Sequence, residues 1–128
     1  MKTKRQFSPK ARIQSFGYAV TGFRQLIQTQ HNARIHFAAT IGVLLLSWWL
    51  DLDGVRFSIL VLAMASVWVA EGFNTVFEIM AENRAPQHLK LIRQAKDIAA
   101  ASVLIASIGS LIAGLSVLGP ALYQRIFG

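Results

Sequence analysis

Glu71, Asn74 and Glu78 lie inside an otherwise apolar stretch, the second and third following the first by three and seven residues. On a helix turning 100° per residue, these spacings hold the three side chains within about 60° of one another, with the glutamates nearly eclipsed and about 10 Å apart along the axis. A carboxylate at the centre of a membrane helix costs at least ~2.5 kcal/mol even on lenient insertion scales, so such residues normally mark a working site. Glu82 follows one turn after Glu78, then a basic segment, then Lys96-Asp97. Carboxylates are hard oxygen ligands suited to Mg²⁺, and lysine and arginine offset phosphate charge, so together the set reads as a nucleotide phosphate site. Plainer readings stand beside it. Glu78 and Glu82 can pair with Arg84, Lys90 or Lys96 as surface charges, and Lys96-Asp97 can serve as an interfacial anchor with a helix cap.

These residues must be positioned by membrane helices. The chain has 128 residues, 54% of them hydrophobic, and a mean hydropathy of +0.46, too short and too apolar for an ordinary soluble domain. Three apolar segments stand out: Phe37 to Leu50, Phe57 to about Ala81, and Ile98 to about Leu118. The last carries no charge and is long enough to cross a ~30 Å hydrocarbon core. The middle one spans only if Glu71 and Glu78 are part of its helix, and the first extends back through Ala33. The spans are thus expected at about 33–50, 57–81 and 98–120, with Asp51-Leu52-Asp53-Gly54 as a tight polar turn between the first two.

Thirteen basic residues against six acidic give a net charge of +7. The basic residues cluster just outside the apolar segments, which encodes topology and does not point to nucleic acid. Seven precede the first span, one lies in the first loop, four in the second and one near the C-terminus. By the positive-inside rule the N-terminus and second loop are cytoplasmic, and the first loop and C-terminus face outward. Trp48, Trp49, Tyr123 and Phe127 then anchor the outer interface. Ile13, Phe16, Gly17, Val20, Phe23 and Ile27 recur at three- and four-residue steps, predicting an amphipathic helix over about 12–29 that lies on the inner leaflet or packs against the bundle. Residues 1–10 are basic and polar and are expected to be loose. On the third span Ser102, Ala106, Ser110 and Gly114 form a small-residue face suited to helix packing.

There are no cysteines, which excludes disulfides, thiolate metal sites and cysteine nucleophiles. Neither a P-loop, a dinucleotide fingerprint, H-E-x-x-H nor G-x-S-x-G is present. His31, His36 and His88 lack metal-ligand spacing and read as polar or interfacial residues. Glu71 falls about 14 residues, or ~21 Å, below the outer start of the middle span, on the cytoplasmic side. The outer half offers little polar beyond Ser58, Ser66 and Trp68, which weighs against a proton relay or ion conduit, since that needs polar groups at successive depths.

Glu71-Gly72-Phe73-Asn74-Thr75-Val76-Phe77-Glu78, followed by Ala95-Lys96-Asp97-Ile98-Ala99-Ala100, resembles the E-x-x-N-[ST]-x-x-E and A-K-D signature of the small prokaryotic integral-membrane lipid kinases, diacylglycerol kinase and undecaprenol kinase. The similarity extends through Ser15-Phe16-Gly17-Tyr18-Ala19 and Asn32-Ala33-Arg34-Ile35-His36, covering about residues 12 to 118. It implies an all-α integral membrane fold: one domain over residues 11–128, with three transmembrane helices, an N-terminal amphipathic surface helix, and a homotrimeric bundle with sites shared between subunits in the bacterial inner membrane. It also implies MgATP-dependent phosphorylation of a lipid alcohol. By motif position Glu71 corresponds to the general base and Asn74 to the active-site asparagine. Glu78 corresponds to a magnesium ligand beside ATP, and Lys96 and Asp97 to ATP contacts. Tyr18 matches a tyrosine near the nucleotide and Arg12 a nearby basic position. Two departures stand out. Gln30 replaces a family glutamate that serves as a further magnesium ligand, and Glu82 replaces an aspartate. The alternatives are an undecaprenol kinase and, from another class, a non-catalytic membrane oligomer or ion-coupled carrier.

Overall fold

The computed structural model describes residues 7–83 and 86–128. Lys2, Lys4, Arg5 and Arg84, four of the charges behind the predicted topology, lie outside the described residues. So does most of the N-terminal stretch expected to be loose, while Pro9 and Lys10 already belong to a helix. The described chain is all helical: α1 (Pro9–Thr29), α2 (His31–Trp49), α3 (Gly54–Glu82), one 3₁₀ turn (Pro86–His88) and α4 (Leu89–Phe127).

Local chemistry sets each boundary. Ser8 caps α1, its hydroxyl accepting from the Ala11 N–H at 3.4 Å, and Pro9 follows at a first-turn position where its missing donor costs nothing. Gln30 leaves helical geometry at φ −106°, ψ 120°, so one residue separates α1 from α2. Arg34 reaches back across that break: its Nε donates to the Ile27 carbonyl at 3.0 Å and its terminal nitrogen to the Gln28 carbonyl at 2.6 Å. These are carbonyls that a helix end leaves orphaned, and a cation there also complements the helix dipole.

At the far end of α2 the Leu52 N–H bonds the Ser47 carbonyl and the Asp51 N–H bonds the Trp48 carbonyl, a Schellman closure with Asp51 at φ 52°. The expected turn is present, but the left-handed residue is Asp51, and Gly54 is the first residue of α3. Asp53 caps α3 through Oδ1, which accepts from Val55 and Arg56, each at 3.0 Å.

α3 and α4 form an antiparallel hairpin with the most extensive contact in the chain, and α2 packs on α3. At 29 and 39 residues, these two helices are about 43 Å and 58 Å long, more than a ~30 Å hydrocarbon core requires. They are the two helices long and apolar enough to cross a membrane. α2 has the length but begins with His31, Asn32, Arg34 and His36, which dilute its hydropathy, so the first span of the sequence reading, 33–50, is not established by length and composition. α4 begins at Leu89, well before the predicted 98, because most of the basic segment is helical, and it runs through Pro120 to Phe127. Membrane helices tolerate an interior proline of this kind. Asp97 therefore sits inside a helix and caps nothing.

The protomer's buried set is small: Ala33, Leu60, Val67 and Ala99 with the polar Ser47, Glu71 and Thr75. Large apolar side chains on every helix are exposed, a surface that demands lipid or neighbouring helices. A Cβ added at Gly114 would meet nothing within 4 Å, so the small-residue face of α4 makes no close helix contact at that position. Arg125 stacks on Trp49 at 5.4 Å and Tyr123 on Phe127 at 5.1 Å, which places the aromatic residues of α2 and α4 at one end of the bundle.

Candidate functional site

The polar face of α3 is divided between two neighbours. Glu71 is 1% exposed and turned toward α2, where its Oε2 lies 3.8 Å from His36 Nε2. That oxygen is buried and has no hydrogen-bond partner. A buried ionisable oxygen without a donor is costly and calls for a functional explanation. One turn further along, half-buried Asn74 donates from Nδ2 to Glu78 Oε1 at 3.4 Å. Thr75, also buried, returns its hydroxyl to the Glu71 carbonyl at 3.0 Å. Glu71 and Glu78 keep the stacked relation that their spacing predicts.

Among the described residues neither Glu78 nor Glu82 forms an ion pair, so the surface-charge reading with Lys90 or Lys96 is not realised. Lys96 borders a small cleft with Phe77, Met80 and Ala81, on the α4 side of the turn that carries Glu78. Asp97 points outward beside it. Arg12 and Tyr18 are exposed on α1; Arg12 stacks over Phe7 at 5.7 Å, and neither hydrogen-bonds to the α3 carboxylates. Gln30 occupies the break between α1 and α2 and donates to the Thr29 hydroxyl at 3.5 Å. A single protomer thus joins Glu71 with His36 and Asn74 with Glu78, and leaves the α1 candidates apart.

No three His, Asp or Glu side chains gather as a metal cage among the described residues. The donor set nevertheless suits Mg²⁺, which keeps several waters and is commonly held by one or two carboxylates together with substrate phosphates. Glu78 has one oxygen engaged by Asn74 and the other without a protein donor among the described residues.

Two grooves flank this face. Between α1 and α3 an open, mainly apolar groove of about 700 Å³ is lined by Phe23 and Leu26 on one side and by Val69, Phe73 and Val76 on the other, with Gln25, Thr29 and Thr75 as its polar lining. Between α3 and α4 a second of about 420 Å³ reaches Asn74. Toward the other end of α3 the polar side chains are spent locally. Ser58 and Ser66 bond their own helix at 2.6 and 2.7 Å, and the Trp68 indole donates to Thr40 at 3.0 Å. Among the described residues, these polar groups of α3 leave no free chain continuing from Glu71 in that direction.

His36, expected in a polar or interfacial role, lies instead against Glu71. The signal was faint: His36 and Thr40 sit one turn apart on α2, and only the packing of α2 on α3 shows that they meet Glu71 and Trp68.

Two helices long and apolar enough to cross a membrane, with a carboxylate buried between helices, suit a membrane protein with a polar site inside its helical bundle. The prokaryotic diacylglycerol kinase profile matches residues 17–118, and the chain belongs to that family of lipid kinases. It is 34% identical over 109 residues to a diacylglycerol kinase of Synechocystis, covering 84% of this chain but only 62% of that protein. It is 29% identical over 110 residues to the undecaprenol kinase of Bacillus subtilis, covering 86% and 89% of the two chains. With the diacylglycerol kinase of Escherichia coli K12 it shares 27% identity over 100 residues, 78% of this chain and 82% of that one. No solved structure matches the chain.

Proposed function

We propose that this protein transfers the γ-phosphoryl group of ATP to the hydroxyl of a membrane lipid alcohol, converting diacylglycerol to phosphatidic acid. The observation that carries the reading is Glu71: a carboxylate buried in an apolar bundle, one oxygen without a donor, on the helix whose Gly72, Phe73 and Val76 wall an apolar groove open to the surface. Acyl chains fit that groove, and a hydroxyl at its polar end comes within reach of α3. Glu71 takes the hydroxyl proton as the lipid oxygen bonds to the γ-phosphorus and the bond from phosphorus to the bridging oxygen of ADP breaks. General-base help of this kind contributes about 10²- to 10⁴-fold.

Bound Mg²⁺ would supply neutralisation of triphosphate charge, with Glu78 and Gln30 as its protein ligands. Asn74 steadies the Glu78 carboxylate, and Lys96 and Asp97 flank the nucleotide from α4. Tyr18 and Arg12 reach a nucleotide only if α1 of one subunit serves the site of another, which accords with a homotrimer and with the exposed apolar surface of the protomer. We place three spans in the bacterial inner membrane, α2 included, with the N-terminus and second loop cytoplasmic.

A second reading, undecaprenol as acceptor, is favoured by the near full-length match to the Bacillus undecaprenol kinase. Purified protein given radiolabelled ATP and each lipid in turn decides between them. Label on diacylglycerol supports the first reading, label on undecaprenol the second, and label on neither removes both.

A further inference from the structure

A general base works only if its carboxylate is aimed, and Glu71 Oε2 is aimed by nothing that hydrogen-bonds to it in this structure. The Trp68 indole N–H, three residues earlier on the same helix, is committed to the Thr40 hydroxyl at 3.0 Å. That hydroxyl donates to the His36 carbonyl at 2.7 Å. The Thr75 hydroxyl is returned to the Glu71 backbone carbonyl, and the Asn74 amide is turned to Glu78. One donor remains, His36 Nε2, at 3.8 Å from Glu71 Oε2. Its ring stands edge-on to Trp68, with centroids 6.4 Å apart, and Trp68 is itself braced by Phe23 of α1 at 5.1 Å. His36 also borders a groove of about 270 Å³ lined by Asn32 and Ser107.

We propose that His36 is the positioning residue for Glu71: its Nε2–H closes onto Oε2 when substrate binds and leaves Oε1 facing the lipid hydroxyl. The inference rests on the reading of Glu71 as the base. A separation of 3.8 Å is too long for a hydrogen bond, but less than an ångström of side-chain movement makes one, and catalytic contacts commonly tighten only in the substrate complex. The role needs one ring nitrogen carrying hydrogen toward the carboxylate, which neutral imidazole supplies. His36 itself does not touch the reacting atoms.

The test uses reach. Glutamine at position 36 places an amide N–H close to the place of Nε2, whereas asparagine, one methylene shorter, does not. In full-length protein in lipid micelles, His36→Gln should keep kcat within about threefold of the parent, while His36→Asn and His36→Leu lower it about 10- to 100-fold, the cost of a reacting group misplaced by an ångström. KM for ATP should not move in any of the three. In a Glu71→Gln background, His36→Leu should cost nothing more, because residues that act as a unit are not additive. Equal losses for the three variants, full activity in His36→Leu, or a loss confined to KM would each overturn the proposal. Failure of the underlying reading looks different: Glu71→Gln itself would then turn over at the parent rate.

Discussion

Thr40 and Trp68 form the one hydrogen bond between side chains of two different helices among the described residues, 3.0 Å from indole Nε1 to the threonine hydroxyl. It pins α2 to α3 one turn from the pair formed by His36 and Glu71, and so sets the register on which the site depends. Thr40→Val would leave the indole N–H without a partner in an apolar setting, at a cost of about 1 to 3 kcal/mol. Adding Trp68→Phe removes the orphaned donor, so the double variant should recover part of that loss. Unfolding by SDS titration measures both. A double variant less stable than Thr40→Val alone would show that the bond is not what matters there.

Arg34 closes α1 by donating to the Ile27 and Gln28 carbonyls. Arg34→Met removes both donors and the cation at the helix end, worth about 0.3 to 1 kcal/mol, so amide exchange in the last turn of α1 should quicken roughly two- to fivefold. Arg34→Lys, with charge but no fork, should fall between. Unchanged exchange in Arg34→Met would mean that α1 is held by its apolar contacts alone.

Much of this architecture was legible because it is written in one helix at a time. The stacking of Glu71 over Glu78 follows from their spacing, and the amphipathic face of α1 from Ile13, Phe16 and Val20, all exposed in the protomer. The start of α4 was hidden by Lys90, Arg93 and Lys96, which read as a basic loop although basic residues are good helix formers. The polar composition of Asp51-Leu52-Asp53-Gly54 marked a turn after α2 but not which residue turns left-handed, and that residue is Asp51. What no single-helix pattern contains is the meeting of His36 with Glu71, or of Thr40 with Trp68, because those contacts depend on the register between two helices.

Asp53 gives a pH signature outside the membrane. Hydrogen bonds from the backbone N–H groups of Arg56 foremost and Val55, with the Arg56 charge, hold its carboxyl below the usual carboxylate range against a weaker opposing effect of desolvation. A group whose folded pKa is depressed adds stability above its unfolded value, near 3.9, and loses it as pH falls through the folded value. Asp53→Ala should therefore be less stable than the parent at neutral pH. The gap should stay constant down to about pH 5 and narrow below about pH 4. Detergent unfolding at a series of pH values tests this, and a gap that widens on acidification would contradict the capping role.

Continued by count from 40 beside 68 and 36 beside 71, the antiparallel register would bring Gln30 near the level of Glu78. An amide oxygen there can ligate a cation but brings no charge, and ligand charge tunes affinity for divalent ions. Gln30→Glu should lower the Mg²⁺ concentration for half-maximal activity by roughly three- to tenfold, and Glu78→Gln should raise it by at least as much. Calorimetric titration of Mg²⁺ in the presence of a non-hydrolysable ATP analogue provides a readout independent of turnover. If Gln30→Glu leaves both titrations unmoved while Glu78→Gln shifts them, the break between α1 and α2 supplies no ligand and the metal is held by Glu78 and the phosphates.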